Sequence, residues 1–396
     1  MGRKRVGNIL KWVLSSLSLF WVGVAFCEPL RDSPEPLIMG SSLMDPGNGK
    51  TIDLGPLDGI RISGVGSGFG LSQSNPAVEN SNTIFDVSNA QLIVQKDAGD
   101  LQFYLQAGYY STPSLGTSYQ RANRQTIDSF GLLPLAYLSI PIASKWKISA
   151  GKINSFGGYE STFTFQNLNI DRGLLWNQTS NVSKGVEAAY KDGPISAAVT
   201  INDGFYSNQL SWMGASMAYQ LNKKSTATIS WTGAIKPTTT NTFTTPLAQN
   251  NSQILNAIYT LSKGNWFVAP YLQYTYVPAN PAIGILSSAK TMGAALLSNY
   301  RLMNFARDGG IASIPVRFEY INSNGYGNPS APNLLYGPGS SAWSATITPT
   351  IQFKQYFFRV EYSYVQAINI TPGLGFGQQA TASNQSRLVF EAGFLY

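Results

Sequence analysis

The chain has 396 residues, of which only 12% are Asp, Glu, Lys or Arg and none is histidine. Soluble domains carry about 25% charged residues, so a soluble globule of this size is disfavoured. A barrel wall tolerates such a composition, because its outer face meets lipid and its lumen accepts neutral polar groups. Without histidine there is no Ser–His hydrolysis and no His-ligated metal. The carboxylates form no recognisable acid–base motif, so no enzyme, metal or cofactor site is expected.

The formal charge of +7 is concentrated at the start of the chain. Residues 1–27 hold Arg3, Lys4, Arg5 and Lys11 and no acid; without these four bases, 23 basic residues stand against 20 acidic ones, a net +3. No basic patch remains to argue for nucleic acid. The basic start and the apolar run Trp12 to Phe26 read as a secretory signal over residues 1–27, with Ala25 and Cys27 as the small residues before the cut. The alternative is a membrane anchor, for which the stretch is short. Cys27 is the sole cysteine. A lipoprotein would acylate it, but Phe26 stands where a small residue is expected. Cleavage after Cys27 leaves a thiol-free chain, which suits an exported protein without disulfides. No later segment offers eighteen continuous apolar residues, so any membrane crossing must use strands closed into a barrel.

Residues 28–56, with Pro29, Pro34, Pro36 and Pro46, read as a loose periplasmic lead-in, with a plug as the alternative. Residues 57–396 are expected to form an all-β, transmembrane, antiparallel up-and-down β-barrel of about sixteen strands. The strands are expected near 59–71, 82–96, 101–112, 131–141, 145–153, 183–191, 194–203, 209–221, 225–235, 252–262, 266–277, 288–300, 311–323, 342–353, 356–366 and 386–396. Their lengths suit tilted membrane strands. Tight turns such as Asp97 to Asp100, Lys191 to Pro194 and Asn222 to Lys224 nearly alternate with long connections such as 113–130, 154–182 and 324–341. That is the pattern of short periplasmic turns and longer outer loops.

Many strands have two unlike faces. In the last, Leu388, Phe390, Ala392, Phe394 and Tyr396 alternate with Arg387, Val389, Glu391, Gly393 and Leu395. Arg-x-Glu recurs at 317/319 and 359/361, opposite aromatic residues. A lipid-facing Arg near the midplane is destabilising by roughly 2–4 kcal/mol. Hence Arg61, Lys147, Arg317, Glu319, Arg359, Glu361, Arg387 and Glu391 are placed on the lumen wall, either as an electrostatic lining or as mutually neutralising pairs. Three features fit poorly. Pro270, Pro315 and Pro349 fall inside strands. Gly64, Gly66, Gly68 and Gly70 occupy the parity otherwise assigned to lipid, where packing against a neighbouring subunit is one explanation. A phosphate-binding loop there lacks its strand–loop–helix setting.

The terminal aromatic strand resembles the final strand of bacterial outer-membrane barrels, and that resemblance implies pairing with the first strand and recognition by the barrel-assembly machinery. The run Lys147 to Glu160, with Gly151-Lys152-Ile153 closing a strand and Gly158-Tyr159-Glu160 after a small turn, resembles the OmpL-like β-barrel porins. It implies an outer-membrane channel without naming a solute. In general porins the third outer loop folds into the barrel. Residues 154–182 correspond to that loop, with apolar anchors such as Phe163, Ile170 and Leu174 and candidate constriction charges Glu160, Asp171 and Arg172. An outer loop lying over the surface is the alternative. A homotrimer is implied by resemblance to sixteen-stranded porins.

The expected function is passive diffusion of small hydrophilic solutes or ions across the bacterial outer membrane, with lipid as the surrounding partner. A plugged transporter of apolar substrates, a surface or adhesion barrel and a soluble exported β-protein are the rivals.

Overall fold

The computed structural model describes residues 41–45, 49–54, 57–78, 80–303 and 310–396. The expected signal and Cys27 lie outside the described residues, as does most of the 28–56 lead-in.

A short strand β1 (Lys50–Leu54) precedes β2 (Leu57–Gln73), β3 (Thr83–Lys96), β4 (Gln102–Tyr110), β5 (Leu135–Ala143), β6 (Trp146–Asn154), β7 (Val182–Asp192), β8 (Ile195–Asn202) and β9 (Trp212–Asn222). Then follow β10 (Ser225–Ala234), β11 (Gln253–Lys263), β12 (Trp266–Val277), β13 (Ala289–Met303), β14 (Ile311–Ser323), β15 (Ser341–Ile347), β16 (Thr350–Phe353), β17 (Tyr356–Ile368) and β18 (Asn384–Leu395). Each pairs antiparallel with its neighbours, and β18 closes on β2 from Arg387↔Gln73 to Leu395↔Val65. Since β15 and β16 are two pieces of one wall strand and β1 lies outside the ring, the barrel has sixteen strands. Gly64 and Tyr396 exchange both backbone hydrogen bonds at 2.8 Å. Beyond that point β1 takes over the same edge of β2, from Lys50↔Ile62.

The alternating pattern is realised as lipid face and lumen face. Leu388, Phe390, Phe394 and Tyr396 are 36–47% exposed, while Arg387, Val389 and Glu391 are at most 2% exposed. An unpaired arginine would be costly outward, so parity and register are fixed together. Trp146 with Tyr190 and Trp266 with Tyr300 form ring pairs at the short-turn end, and Trp343 with Tyr364 at the long-loop end. These are the positions of interfacial aromatic girdles.

The poorly fitting residues find physical reasons. Pro349 lies in the break between β15 and β16, and Pro315 faces that break from β14. One irregularity therefore absorbs two missing donors, with the Thr348 N–H bonded to the Pro315 carbonyl at 2.9 Å. Pro270 sits where the β11–β12 ladder skips between Ile258↔Tyr271 and Leu261↔Val268. Two of the outward glycines of β2, Gly66 and Gly70, are covered by rings of the same chain. A Cβ on Gly66 would come within 2.7 Å of the Phe394 ring, and one on Gly70 within 2.9 Å of Phe85. Flanking aromatic rings thus lie over the glycine strand on either side of the closing seam.

Long connections gather at one barrel end. The β4–β5 connection carries helix α1 (Ala122–Asp128). The long β6–β7 connection turns inward and supplies much of the barrel's interior. Its Leu168, Leu174 and Leu175 pack with Leu297, Ile321 and Tyr336. Phe163 packs with Tyr110 and Phe130, and Ile170 with Phe69, Leu71 and Val389.

Candidate functional site

The inner loop, residues 155–181, is held by a rack of wall charges. Within a strand, residues two apart point the same way, so each Arg-x-Glu presents a donor fork and an acceptor together. Glu361 accepts the backbone N–H of Ile170 and Asp171 at 2.5 and 3.0 Å, and the Thr348 hydroxyl at 2.8 Å. Glu319 accepts the N–H of Leu174 and Leu175 at 2.9 and 3.2 Å. Gly173 lies between these points, and a Cβ there would overlap the Glu319 carboxylate.

The arginines complement this by donating to loop carbonyls. Arg317 bonds the Glu160 carboxylate at 2.5 Å and the Asp171 carbonyl at 2.8 Å. Arg359 reaches the carbonyls of Thr164 and Asn167 at 3.0 and 3.2 Å and pairs with Glu391 at 2.8 Å. Glu391 accepts the Thr164 hydroxyl at 2.7 Å. Arg387 lies 3.4 Å from Asp171 and donates to the carbonyls of Ser114 and Thr117, both at 2.7 Å. The β4–β5 connection is thereby drawn in too, with Leu115 N–H bonded to the Arg172 carbonyl at 2.9 Å.

This geometry revises the expected electrostatic lining. Arg317, Glu319, Arg359, Glu361, Arg387 and Glu391 face inward, but each is buried under the loop. Asp171 and Arg172 are likewise fully buried, so they meet no open water. Arg172 donates to the carbonyls of Pro113, Ile170 and Thr162, and burial pushes its guanidinium down to about 10. Glu160 borders the open space, although its side chain is only 2% exposed. Burial raises its carboxyl above the ordinary range, opposed by Arg317. Arg61 lies at the short-turn end and is bonded to Asp45.

Of the eight wall charges singled out from the sequence, Lys147 lines a large cavity beside the loop, and Arg61 lines a smaller one next to residues 41–45. The large chamber, of about 470 Å³, lies between loop residues 154–162 and the wall of β5–β11. Glu187 of β7 also lines it, one ladder position diagonal to Lys147. Sequence reading missed Glu187, because its strand is weakly patterned; the β6–β7 register was the missing signal. Lys145 and Lys191 line the chamber at the short-turn end, and small residues such as Ser149, Ser196, Ala198, Ser216 and Ser230 make up much of the remaining wall.

Residues 41–45 belong to the stretch read as a lead-in, with a plug as the alternative, and they contact the barrel interior. Ser41 donates to the Phe165 carbonyl at 2.7 Å, and Met44 exchanges bonds with the Gln352 side chain at 2.8 and 2.7 Å. Arg301 donates to the Ser41 carbonyl at 2.8 Å. This piece of the expected lead-in therefore sits in the barrel mouth under the inner loop.

A family-wide profile described as "Putative beta-barrel porin-2, OmpL-like" matches residues 59–396, which is the whole barrel ring apart from its first two residues. The chain belongs to this family. It is accordingly a porin of the bacterial outer membrane. No curated protein matches it significantly. Among solved structures, this porin is similar to the outer-membrane channel DcaP of Acinetobacter baumannii, with 11% identity over 85% of this chain and 97% of that one, at a TM-score of 0.53. Salmonella typhi OmpF, in complex with daunomycin, gives 12% identity, 85% and 97% coverage and a TM-score of 0.53. OmpT of Vibrio cholerae gives 11%, 88%, 100% and 0.52. At these identities the likeness concerns the porin fold: a closed antiparallel sixteen-strand barrel.

Proposed function

We propose that solutes pass this porin off-centre, between the inner loop and the wall of β5–β11. The observation that carries this reading is the one-sided docking of residues 155–181. The rack on β14, β17 and β18 holds the loop against that side, and the 470 Å³ chamber lies on the other. Glu160 of the loop and Lys145, Lys147, Glu187 and Lys191 of the wall are then the charges nearest the path. Asp171, Arg172 and the six rack charges act on the path indirectly, by fixing where the loop lies. Because opposite charges neutralise one another in the rack, the channel is weakly ion-selective and passes small hydrophilic solutes without chemistry.

Residues 41–45 narrow the periplasmic mouth on this reading. The aromatic last strand is the element offered to the assembly machinery, and a homotrimer is the proposed assembly by likeness to sixteen-stranded porins. The test is single-channel conductance of the refolded porin in a planar bilayer, with heat-modifiable gel mobility as the folding control. Charge changes at Lys147 and Glu187 should alter cation-to-anion preference at unchanged fold. A folded barrel that gives no conductance steps would overturn the channel reading.

A further inference from the structure

The lipid face of β6 and β7 has two unlike ends. At the short-turn end Trp146 and Tyr190 form a ring pair. At the long-loop end of the same strands, on the same outward parity, Lys152 stands directly opposite Lys184. By contrast, the facing charges Arg359 and Glu391 are complementary. Like charges directly opposite each other are destabilising, and a lysine on the lipid face is costly except near the membrane boundary. The pair therefore calls for a countercharge. Neither lysine forms a salt bridge among the described residues. Asp203, bonded to the Lys184 backbone, is 1% exposed. It spends its two carboxylate oxygens on the backbone N–H groups of Lys184 and Asn208, at 2.6 and 3.0 Å.

The two ammonium groups are drawn together at the rim. Lys184 Nζ lies 3.8 Å and Lys152 Nζ 5.5 Å from the centre of the Tyr206 ring. Lys152 donates to the carbonyls of Phe130 and Leu133 at 3.1 and 2.8 Å, and Lys184 donates to the Asn208 side chain. An ammonium carries three protons, so both lysines keep donors for a further acceptor. Both side chains are partly exposed. Next to them on the wall, toward the short-turn end, the same parity holds Leu138, Ile148, Val186 and Ile201, all 38–53% exposed. An apolar wall is thus topped by two cations at the outer boundary of the membrane.

We propose that Lys152 and Lys184 hold the phosphate of a lipid head group in the outer leaflet, with the acyl chains of that lipid against the apolar wall. The site does not depend on the off-centre path proposed above. Phosphate oxygens accept charge-assisted bonds from both ammonium groups, and the negative charge between them offsets their repulsion. The source is a lipid rather than free phosphate, because the pair lies on the lipid parity and continues directly into the apolar wall. One molecule with a phosphate at one end and hydrocarbon at the other matches both parts.

Native mass spectrometry tests the proposal by counting lipid bound to the refolded, detergent-solubilised porin as diphosphorylated lipid A is titrated in. Lipid A should bind, and dephosphorylated lipid A should bind about tenfold more weakly. Lys184→Met should weaken lipid A about fivefold, and its combination with Lys152→Met about thirtyfold. Lys184→Arg, which keeps the charge, should retain the lipid. Heat-modifiable gel mobility checks that each variant is folded. If Lys152→Met loosens the connection it clamps, Lys184→Met and its arginine control decide alone. Equal lipid A binding by the parent and Lys184→Met overturns the site, as does equal binding of the two lipid forms. Displacement of lipid A by an equal concentration of inorganic phosphate shows a site for the free ion and overturns the lipid as its source. A changed subunit number with unchanged lipid binding shows that the pair meets another copy of the chain, and overturns the proposal as well.

Discussion

Replacing Glu361 by Gln should release the inner loop without opening the barrel. Glu361 receives two consecutive loop N–H groups and the Thr348 hydroxyl. Glutamine keeps one acceptor oxygen and turns a donor toward the other N–H, so one to two charge-assisted bonds are lost. At about 1.5–3 kcal/mol for each such bond, partly regained through the remaining oxygen, the docked state loses about 2–4 kcal/mol. With a factor of ten per 1.4 kcal/mol, the undocked population rises roughly 30- to 1000-fold. Arg172 reports this directly, because it is fully buried in the docked loop. Trypsin cuts after Arg172 only when the loop is out, and cleavage follows the open population when docking is fast relative to cutting. Cleavage is followed by mass spectrometry for the fragment beginning at Gly173, on barrels whose heat-modifiable mobility is unchanged. Equal rates for Glu361→Gln and the parent would refute the idea that wall carboxylates hold the loop by its backbone.

Three further outcomes are expected. Gly66→Ala pushes a Cβ into the Phe394 ring and should destabilise the seam by about 1–3 kcal/mol. Urea unfolding of a double-mutant cycle with Phe394→Ala should show the penalty vanish once the ring is gone, and additive effects would contradict that contact. Deleting residues 41–45 removes partners from the Phe165 and Asn167 carbonyls; at about 1 kcal/mol each, cleavage at Arg172 should quicken roughly thirtyfold and conductance should rise, whereas unchanged conductance would mean that the segment does not narrow the mouth. Because burial raises the Glu160 carboxyl, its contribution to docking is complete below the ordinary carboxylate range and is lost as pH rises through the raised value. Hydrogen exchange over residues 168–175, corrected for intrinsic rates, should therefore show equal or better protection at pH 5 than at pH 7; acid-induced exposure abolished by Glu160→Gln would show instead that the Arg317 ion pair dominates.

The wall was legible because each strand meets two solvents, and alternation records both. The strand ends expected from turn chemistry fall within a few residues of those observed, and β12 and β14 coincide with them. The interior was less legible. Parity told that Arg317 and Glu361 point inward, but not that a loop covers them, since that contact joins residues 157 and 191 positions apart. Ser41 to Asp45 carries no periodicity, and its placement depends on carbonyls and side chains from distant strands. Gly66 and Gly70 of β2 looked misplaced because the rings that cover them belong to β18 and β3.

The rack also fixes an order of events. Thr164 is bonded to Glu391, 227 positions later in the chain, and Leu174 to Glu319, 145 later. Contacts of such separation form late, because a long stretch of chain must first be ordered. The inner loop is made early but has no seat until β14, β17 and β18 are in place. If the loop is the constriction proposed above, a barrel still waiting for its last strand would lack part of the seat that holds it. Joining β18 to β2 therefore does two jobs at once, sealing the wall against lipid and bringing in Glu391, which accepts the Thr164 hydroxyl of the loop.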